Sequence, residues 1–230
     1  MTFGEKVIEF NKNLKLETRL PEGIRVMNPF TEHEGAFEVS SSFYQKFYND
    51  QNERRIILGI NPGRFGAGVT GIPFTDTKRL EGACGLKMKG NTQTHEPSSV
   101  FVYEMIEAFG GVEAFYSRFY INSVCPLGFV RLNKKGREVN YNYYDSKDLT
   151  SAVYAFIIAS LKAQLALGID TRIVWSMGSN KNFKFLSKLN EEYQLFEQII
   201  PLEHPRYVVQ YKSKDKRFYI NKYLESLQQA

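Results

Sequence analysis

The chain has 230 residues, a net charge of +5, and 43% hydrophobic and 14% aromatic side chains. That composition excludes a disordered or fibrous protein and permits a polyanionic partner without requiring one. Two cysteines without a C-x-x-C spacing exclude a four-cysteine zinc or iron–sulfur site and fit a reducing compartment. The amphipathic, charged N-terminus is unlike a signal peptide, and the longest apolar stretch, Ala152 to Ala159, is too short to span a membrane. A soluble monomer is expected, cytoplasmic or, in a nucleated cell, nuclear. No linker, repeat or low-complexity stretch divides the chain, so residues 1–230 read as one domain.

Phe3, Val7, Phe10 and Leu14 recur at helical spacing and predict a helix over 2–16. A second is expected over 40–49, started by the serines at 40–42. The aliphatic run at 55–60 reads as a buried strand. After a Gly-rich loop, residues 98–109 predict a helix capped by Ser98 or Ser99 and stopped by Gly110-Gly111. Residues 120–124 form the next strand, ended by Pro126; 131–144 are polar, basic and turn-like. A long helix over 145–167 stops at Gly168, followed by strand 171–175, helix 180–190, strand 196–202 and a last helix over 214–228. Strands separated by helices predict an α/β fold with a central, mainly parallel four-stranded sheet flanked by helices, a three-layer sandwich.

Ligands bind at the carboxyl ends of such strands. Three strands end in Asn61-Pro62-Gly63, Asn122-Ser123 and Glu203-His204-Pro205, so Asn61, Asn122 and His204 are expected to share one crevice. The loop over 59–76 holds four further glycines, two prolines, Asn61 and two phenylalanines, a mixture suited to a rigid site for a small planar ring. It lacks the Lys-Ser/Thr of a phosphate loop and has the wrong glycine order for a dinucleotide fingerprint. Cys125 can pair with His204 on paper, but its apolar surroundings read as a buried structural thiol. His33 and His95 sit in no motif, and three dispersed histidines without H-x-x-x-H give no metal site. Asp76 either caps a helix from Thr77 to Cys84 or assists chemistry at the loop.

From Gly59 to Phe74 the sequence G-I-N-P-G-R-F-G-A-G-V-T-G-I-P-F resembles, without a gap, the first motif of the uracil-DNA glycosylase superfamily. It is most similar to the single-strand-selective monofunctional (SMUG) branch, G-M-N-P-G-P-F-G-M-x-Q-T-G-V-P-F. Ile121-Asn122-Ser123 with Cys125-Pro126-Leu127 resembles that family's asparagine strand, and His204-Pro205 the start of its H-P-S-P-R motif. Arg64 and Ala67 replace the branch's proline and methionine, and Arg206-Tyr207 replace S-P, which marks a divergent subfamily. Asn122 lies one residue too far from C-P-L, which leaves Ser123 as a rival for its role.

The resemblance implies a glycosylase fold and a monofunctional enzyme that hydrolyses the N-glycosidic bond of uracil in DNA, in base excision repair, without metal or cofactor. Asn61 would orient the water and His204 would stabilise the departing base. Phe74 would stack on the flipped ring, with Gly63 beside it and Asn122 or Ser123 reading its edge. Arg64, Arg131, Lys134, Lys135, Arg206 and Tyr207 would contact DNA, and no lysine in the three segments would serve a lyase step. A non-catalytic DNA- or nucleobase-binding module that retains the pocket is the alternative, and hydrolysis of a free nucleoside a second.

Overall fold

The protein is described by a computed structural model over residues 1–90 and 92–229. In chain order the first elements are α1 (Phe3–Lys12), β1 (Ile24–Met27), α2 (Pro29–Glu32), α3 (Ala36–Phe47), β2 (Arg54–Gly59), α4 (Ala67–Thr70) and α5 (Thr77–Gly82). Next come α6 (Pro97–Phe109), α7 (Val112–Tyr116), β3 (Phe119–Ser123), β4 (Gly128–Leu132), β5 (Glu138–Tyr141) and α8 (Lys147–Leu165). The chain closes with β6 (Ile169–Met177), α9 (Lys181–Tyr193), β7 (Gln198–Leu202), α10 (Pro205–Tyr211), a 3-10 turn at Ser213–Asp215, and α11 (Lys216–Gln228).

Burial on both faces makes β2 a central strand: Ile56, Ile57 and Leu58 have no exposed surface. The order β3-β2-β6-β7 forms a four-stranded sheet in which every neighbour is parallel, as the alternation of strands and helices predicts. Leu58 stands opposite Asn122 on one side and Ser176 on the other, so three carboxyl ends finish at one level. The flanking helices start where local chemistry allows. Thr2 and Glu5 form a reciprocal capping box on α1. Ser146 caps α8, whose Leu149, Val153, Ile157 and Leu161 recur at helical spacing and are wholly buried.

A second sheet, β1-β4-β5, is antiparallel, and the sequence pattern does not mark it. Residues 131–144, expected to be turn-like, form most of its hairpin. Only Asn133 to Gly136 make the turn, closed by Gly136 N–H donating to Asn133 O at 2.9 Å. β5 carries two apolar residues in four, too few for a visible strand period. Helix starts also differ from expectation. α3 begins after Gly35, and Ser41 and Ser42 lie inside it, donating to the carbonyls of Phe37 and Glu38. At α6 the cap position belongs to Glu96, with Pro97 at the first helical position, where its missing N–H costs nothing.

At the opposite end of the parallel sheet from these strand ends, Arg54 is buried to 1% exposure. Its guanidinium donates to both Asp50 oxygens at 2.9 and 2.8 Å, to Tyr116 O at 2.9 Å and to Asn52 O at 2.9 Å. It also lies 5.5 and 5.4 Å from the Phe3 and Tyr48 rings, joining α1, β2 and the end of α7. Asp50→Ala leaves that cation buried and unpaired and is expected to cost about 3–5 kcal/mol in urea denaturation. Arg54→Met removes the charge along with its partner and is expected to cost less.

Candidate active site

The ends of β2 and β3 and the start of α10 open on one cavity of about 200 Å³. Asn61, Gly63, Phe74, Ser123 and His204 line it, together with Glu96, which no sequence motif marks. Asn140 and Asn142, from β5 and the turn after it, complete the wall, and Arg206 stands at its edge.

Asn61 follows β2 by two residues, and its amide is fixed in orientation. Its Oδ1 accepts the Tyr143 N–H at 3.1 Å, and its Nδ2 donates to Tyr141 O at 3.3 Å and Pro62 O at 3.4 Å. The second lone pair of Oδ1 remains for a water or ligand.

Phe74 has φ 51°, a left-handed conformation that a bulky residue adopts only when its surroundings impose it. The Thr70 hydroxyl supplies the constraint, donating to Thr75 O at 2.7 Å and accepting the Ile72 N–H at 3.2 Å. Gly59 leaves the ring its place: a Cβ there would lie 2.9 Å from the ring's Cε2. The ring meets the His204 imidazole at 5.8 Å, tilted by 50°.

Asn122 and Ser123 are placed differently. Side chains alternate along β3, so Asn122 shares the face of Tyr120 and Ser123 takes the other. Asn122 Nδ2 donates to Tyr120 Oη at 2.6 Å, and its Oδ1 accepts the Ser123 N–H at 2.8 Å. Asn122 lines an adjoining void of about 20 Å³ with Tyr44 and Asn11, which shares Pro62, Ala67 and Pro73 with the main cavity, whereas Ser123 lines the main cavity itself.

His204 caps α10, with Nδ1 accepting the Arg206 N–H at 3.1 Å. The ring proton therefore sits on Nε2 and is free to donate. Burial, and next the Arg206 charge, lowers its pKa from 6.5 to about 4. At neutral pH the group is a neutral N–H donor, not an imidazolium.

Two carboxyls near the loop have different fates. Asp76 has no exposed surface: it accepts the Arg79 N–H at 2.9 Å, pairs with the Arg79 guanidinium at 2.8 Å and accepts the Glu96 N–H at 2.7 Å. It is a helix cap, and it does not line the cavity. Glu96 does, with its oxygens packed under Gly63 and Gly66; a Cβ on Gly63 would lie 2.8 Å from Oε1, and one on Gly66 would collide with Oε2. Burial raises the Glu96 pKa to about 7, with the Ser99 hydroxyl opposing, Asp76 adding and Arg206 opposing. Glu96, two residues after Thr94 and directly before Pro97, carries no sequence signal of this packing.

Cys125 lies in the core, where burial pushes its thiol up to about 12, and it does not line the cavity. Among the described residues no group of three His, Cys, Asp or Glu side chains is placed to hold a metal ion, and no helix is long and apolar enough to cross a membrane. Arg131, Lys134 and Lys135 are exposed along the β4–β5 hairpin, and Arg131 lies over the Tyr141 ring at 4.8 Å. Arg64 stacks on Phe65, which is half exposed, at 4.8 Å. Arg206 and Tyr207 are exposed on the first turn of α10, where Tyr207 packs on Tyr211 at 5.6 Å.

The family model described as the Uracil DNA glycosylase superfamily matches residues 45–228. Among solved structures, the chain is similar to wild-type SMUG2 of Pedobacter heparinus, with 55% sequence identity and a TM-score of 0.96 over 99% of this chain and 97% of that one. No curated protein matches.

The lowered His204 pKa has a consequence for stability. Below about pH 6.5 the unfolded chain binds a proton at this position that the folded protein refuses until about pH 4. The contribution of His204 to stability therefore falls as pH drops through that window, against an opposite contribution from Glu96, whose raised pKa lets the folded protein bind a proton before the unfolded chain does. In thermal melts, the melting temperature of His204→Gln relative to wild type should rise as pH falls from 7 to 4.

Proposed function

Because the chain belongs to the uracil-DNA glycosylase superfamily, we propose that it is a monofunctional glycosylase that hydrolyses the N-glycosidic bond of uracil in DNA and leaves an abasic site. The observation that carries this reading is the meeting of Asn61, Phe74, Ser123 and His204 around one ring-sized cavity. Its base excision role follows from that product.

A base inside a duplex cannot reach such a cavity, so the nucleotide is flipped out of the stack. Phe74 supplies the flat face for the extruded ring, an interaction worth about 1–3 kcal/mol per base. As the C1′–N1 bond breaks, negative charge gathers on the uracil O2. The Nε2–H of His204 donates to it, and a neutral donor in a buried setting is strengthened where charge develops in the transition state. The sugar becomes an electrophilic cation, and Asn61 Oδ1 orients the water that captures it. Gly63, lacking a side chain, leaves room beside the ring.

Ser123 reads the base edge in this scheme. A hydroxyl both donates and accepts and rotates to suit, whereas an amide presents a fixed donor–acceptor pair. Discrimination against cytosine therefore rests less on this one side chain than an asparagine there would provide. Phosphates would be held by Arg131, Lys134 and Lys135 on the hairpin and by Arg64 and Arg206 beside the cavity, with Tyr207 as a stacking surface. That grip must weaken with salt. Among the described residues lining the cavity there is no lysine, so no amine is placed for a lyase step.

The purified protein is expected to release uracil from a uracil-containing oligonucleotide and to leave an alkali-labile site without cutting the strand itself. Tight binding with no alkali-labile product would establish the non-catalytic binding module instead. His204→Ala is expected to slow single-turnover release by about 10²–10³-fold, the usual loss of one donor to a developing oxyanion.

Ser123 and Asn122 separate in the same assay. Ser123→Ala should lower kcat/KM for uracil about tenfold with an unchanged melting temperature, the effect of one lost hydrogen bond to substrate. Asn122→Ala should instead cost about 1–3 kcal/mol of stability, since it strips partners from buried groups.

A further inference from the structure

Hydrolysis of a glycosidic bond releases a proton from the attacking water, and the Asn61 amide cannot accept it. Asp76, the carboxyl inside the Gly-rich motif, is fully engaged with Arg79 and the Glu96 N–H and stands outside the cavity. Glu96 is the one carboxyl among the described residues lining it. Its Oε2 accepts the Ser99 hydroxyl at 3.3 Å, while Oε1 lies against Gly63, two residues from Asn61, on the cavity wall. The missing side chains at Gly63 and Gly66 are what allow the carboxyl this close to the loop.

We propose that Glu96 is a further catalytic residue: its carboxylate accepts the proton of the water that Asn61 orients. The proposal rests on the glycosylase reading above. In the step, the water oxygen bonds to C1′ as the C1′–N1 bond breaks. The bonding pair leaves with uracil, whose O2 is held by His204, and one water proton passes to Glu96 Oε1 and later to solvent. No other reactant is needed.

The surroundings of Glu96 suit a proton acceptor at neutral pH. Burial and the Asp76 charge raise its pKa, Arg206 and the Ser99 hydroxyl lower it, and the result is about 7. The remaining charged or titratable neighbours are accounted for. Arg79 is paired with Asp76 and contacts His95 Nδ1 at 3.0 Å, and His204, across the cavity, is neutral over this range. Because the ionised form is the active one, the rate rises with pH through about 7 and then levels.

The test is single-turnover release of uracil from an oligonucleotide between pH 5.5 and 9, for the wild type, Glu96→Gln and Glu96→Asp. The wild type should show the rise near neutrality. Glu96→Gln, nearly isosteric, should lose about 10²-fold or more at high pH together with the rise, the typical contribution of a general base. Its affinity for an oligonucleotide carrying an uncleavable 2′-fluoro-deoxyuridine should stay near that of the wild type. Glu96→Asp keeps the charge at shorter reach and should recover part of the rate with its pH dependence, which a purely structural glutamate would not produce. An active wild type whose Glu96→Gln variant keeps the wild-type pH profile overturns the assignment of Glu96 alone. So does a rate that falls as pH rises through neutrality. A wild type that releases no uracil from any oligonucleotide overturns the glycosylase reading, and this assignment falls with it.

Discussion

The amide of Asn61 joins the two sheets of this protein. It sits at the end of β2, in the parallel sheet, and binds Tyr141 and Tyr143, which end and follow β5 in the antiparallel one. The cavity lies at this junction, spanned by a side chain that both donates and accepts and, beside it, by the Arg64 N–H donating to Asn140 Oδ1 at 3.1 Å. An aspartate there cannot donate to the Tyr141 carbonyl and would set a negative charge against it. The residue that is best placed to orient a water is therefore also a structural tie, and its structural and chemical roles share one orientation. Only the second lone pair of Oδ1 is left for chemistry, which is enough for one water.

Around that junction, burial decides which groups are charged. Desolvation disfavours whichever form carries charge, so it lowers the imidazole of His204 and raises the carboxyl of Glu96. The two groups differ by about three units in the order opposite to their ordinary one, about 4 against about 7. A neutral donor and a titrating acid then share a cavity in which an unpaired ion would be costly. Asp76, fully buried, has its oxygens engaged by the Arg79 guanidinium and two backbone N–H groups at the N-terminus of α5. Three polar residues near one loop thus differ in role through their partners and not through their chemical type.

The parallel sheet was legible in the sequence because its strands are short aliphatic runs separated by helices with clear stops, such as Gly168 after α8. The antiparallel sheet was not, since β1 and β5 are only four residues each, too short for a clear strand period, and half of β5 is polar. Strand ends alone suggested that Asn61, Asn122 and His204 share one crevice; Asn61 and His204 line one cavity, and Phe74 of the Gly-rich loop lines it with them. Which of Asn122 and Ser123 faces the cavity was not legible, because a one-residue offset moves a side chain to the other face of a strand. Glu96 was invisible for a further reason: its place under Gly63 and Gly66 is a long-range packing fact with no spacing rule. The left-handed Phe74 is the converse case, a local strain that only coordinates reveal.

The basic hairpin and the cavity are parts of one mechanical unit. β4 carries Arg131 and the turn after it Lys134 and Lys135, and the same ribbon ends in the Asn140 to Tyr143 segment that lines the cavity and holds Asn61. Gly128, at the start of β4, packs where a Cβ would lie 2.7 Å from Pro62 O, so the hairpin base and the Gly-rich loop are in contact through backbone. A charge that grips a phosphate at the turn is tied to the site through an antiparallel ladder, a stiffer link than a flexible loop. A substitution that loosens β5 is, for this reason, a substitution in the site, even though none of the strand's apolar side chains touches the cavity.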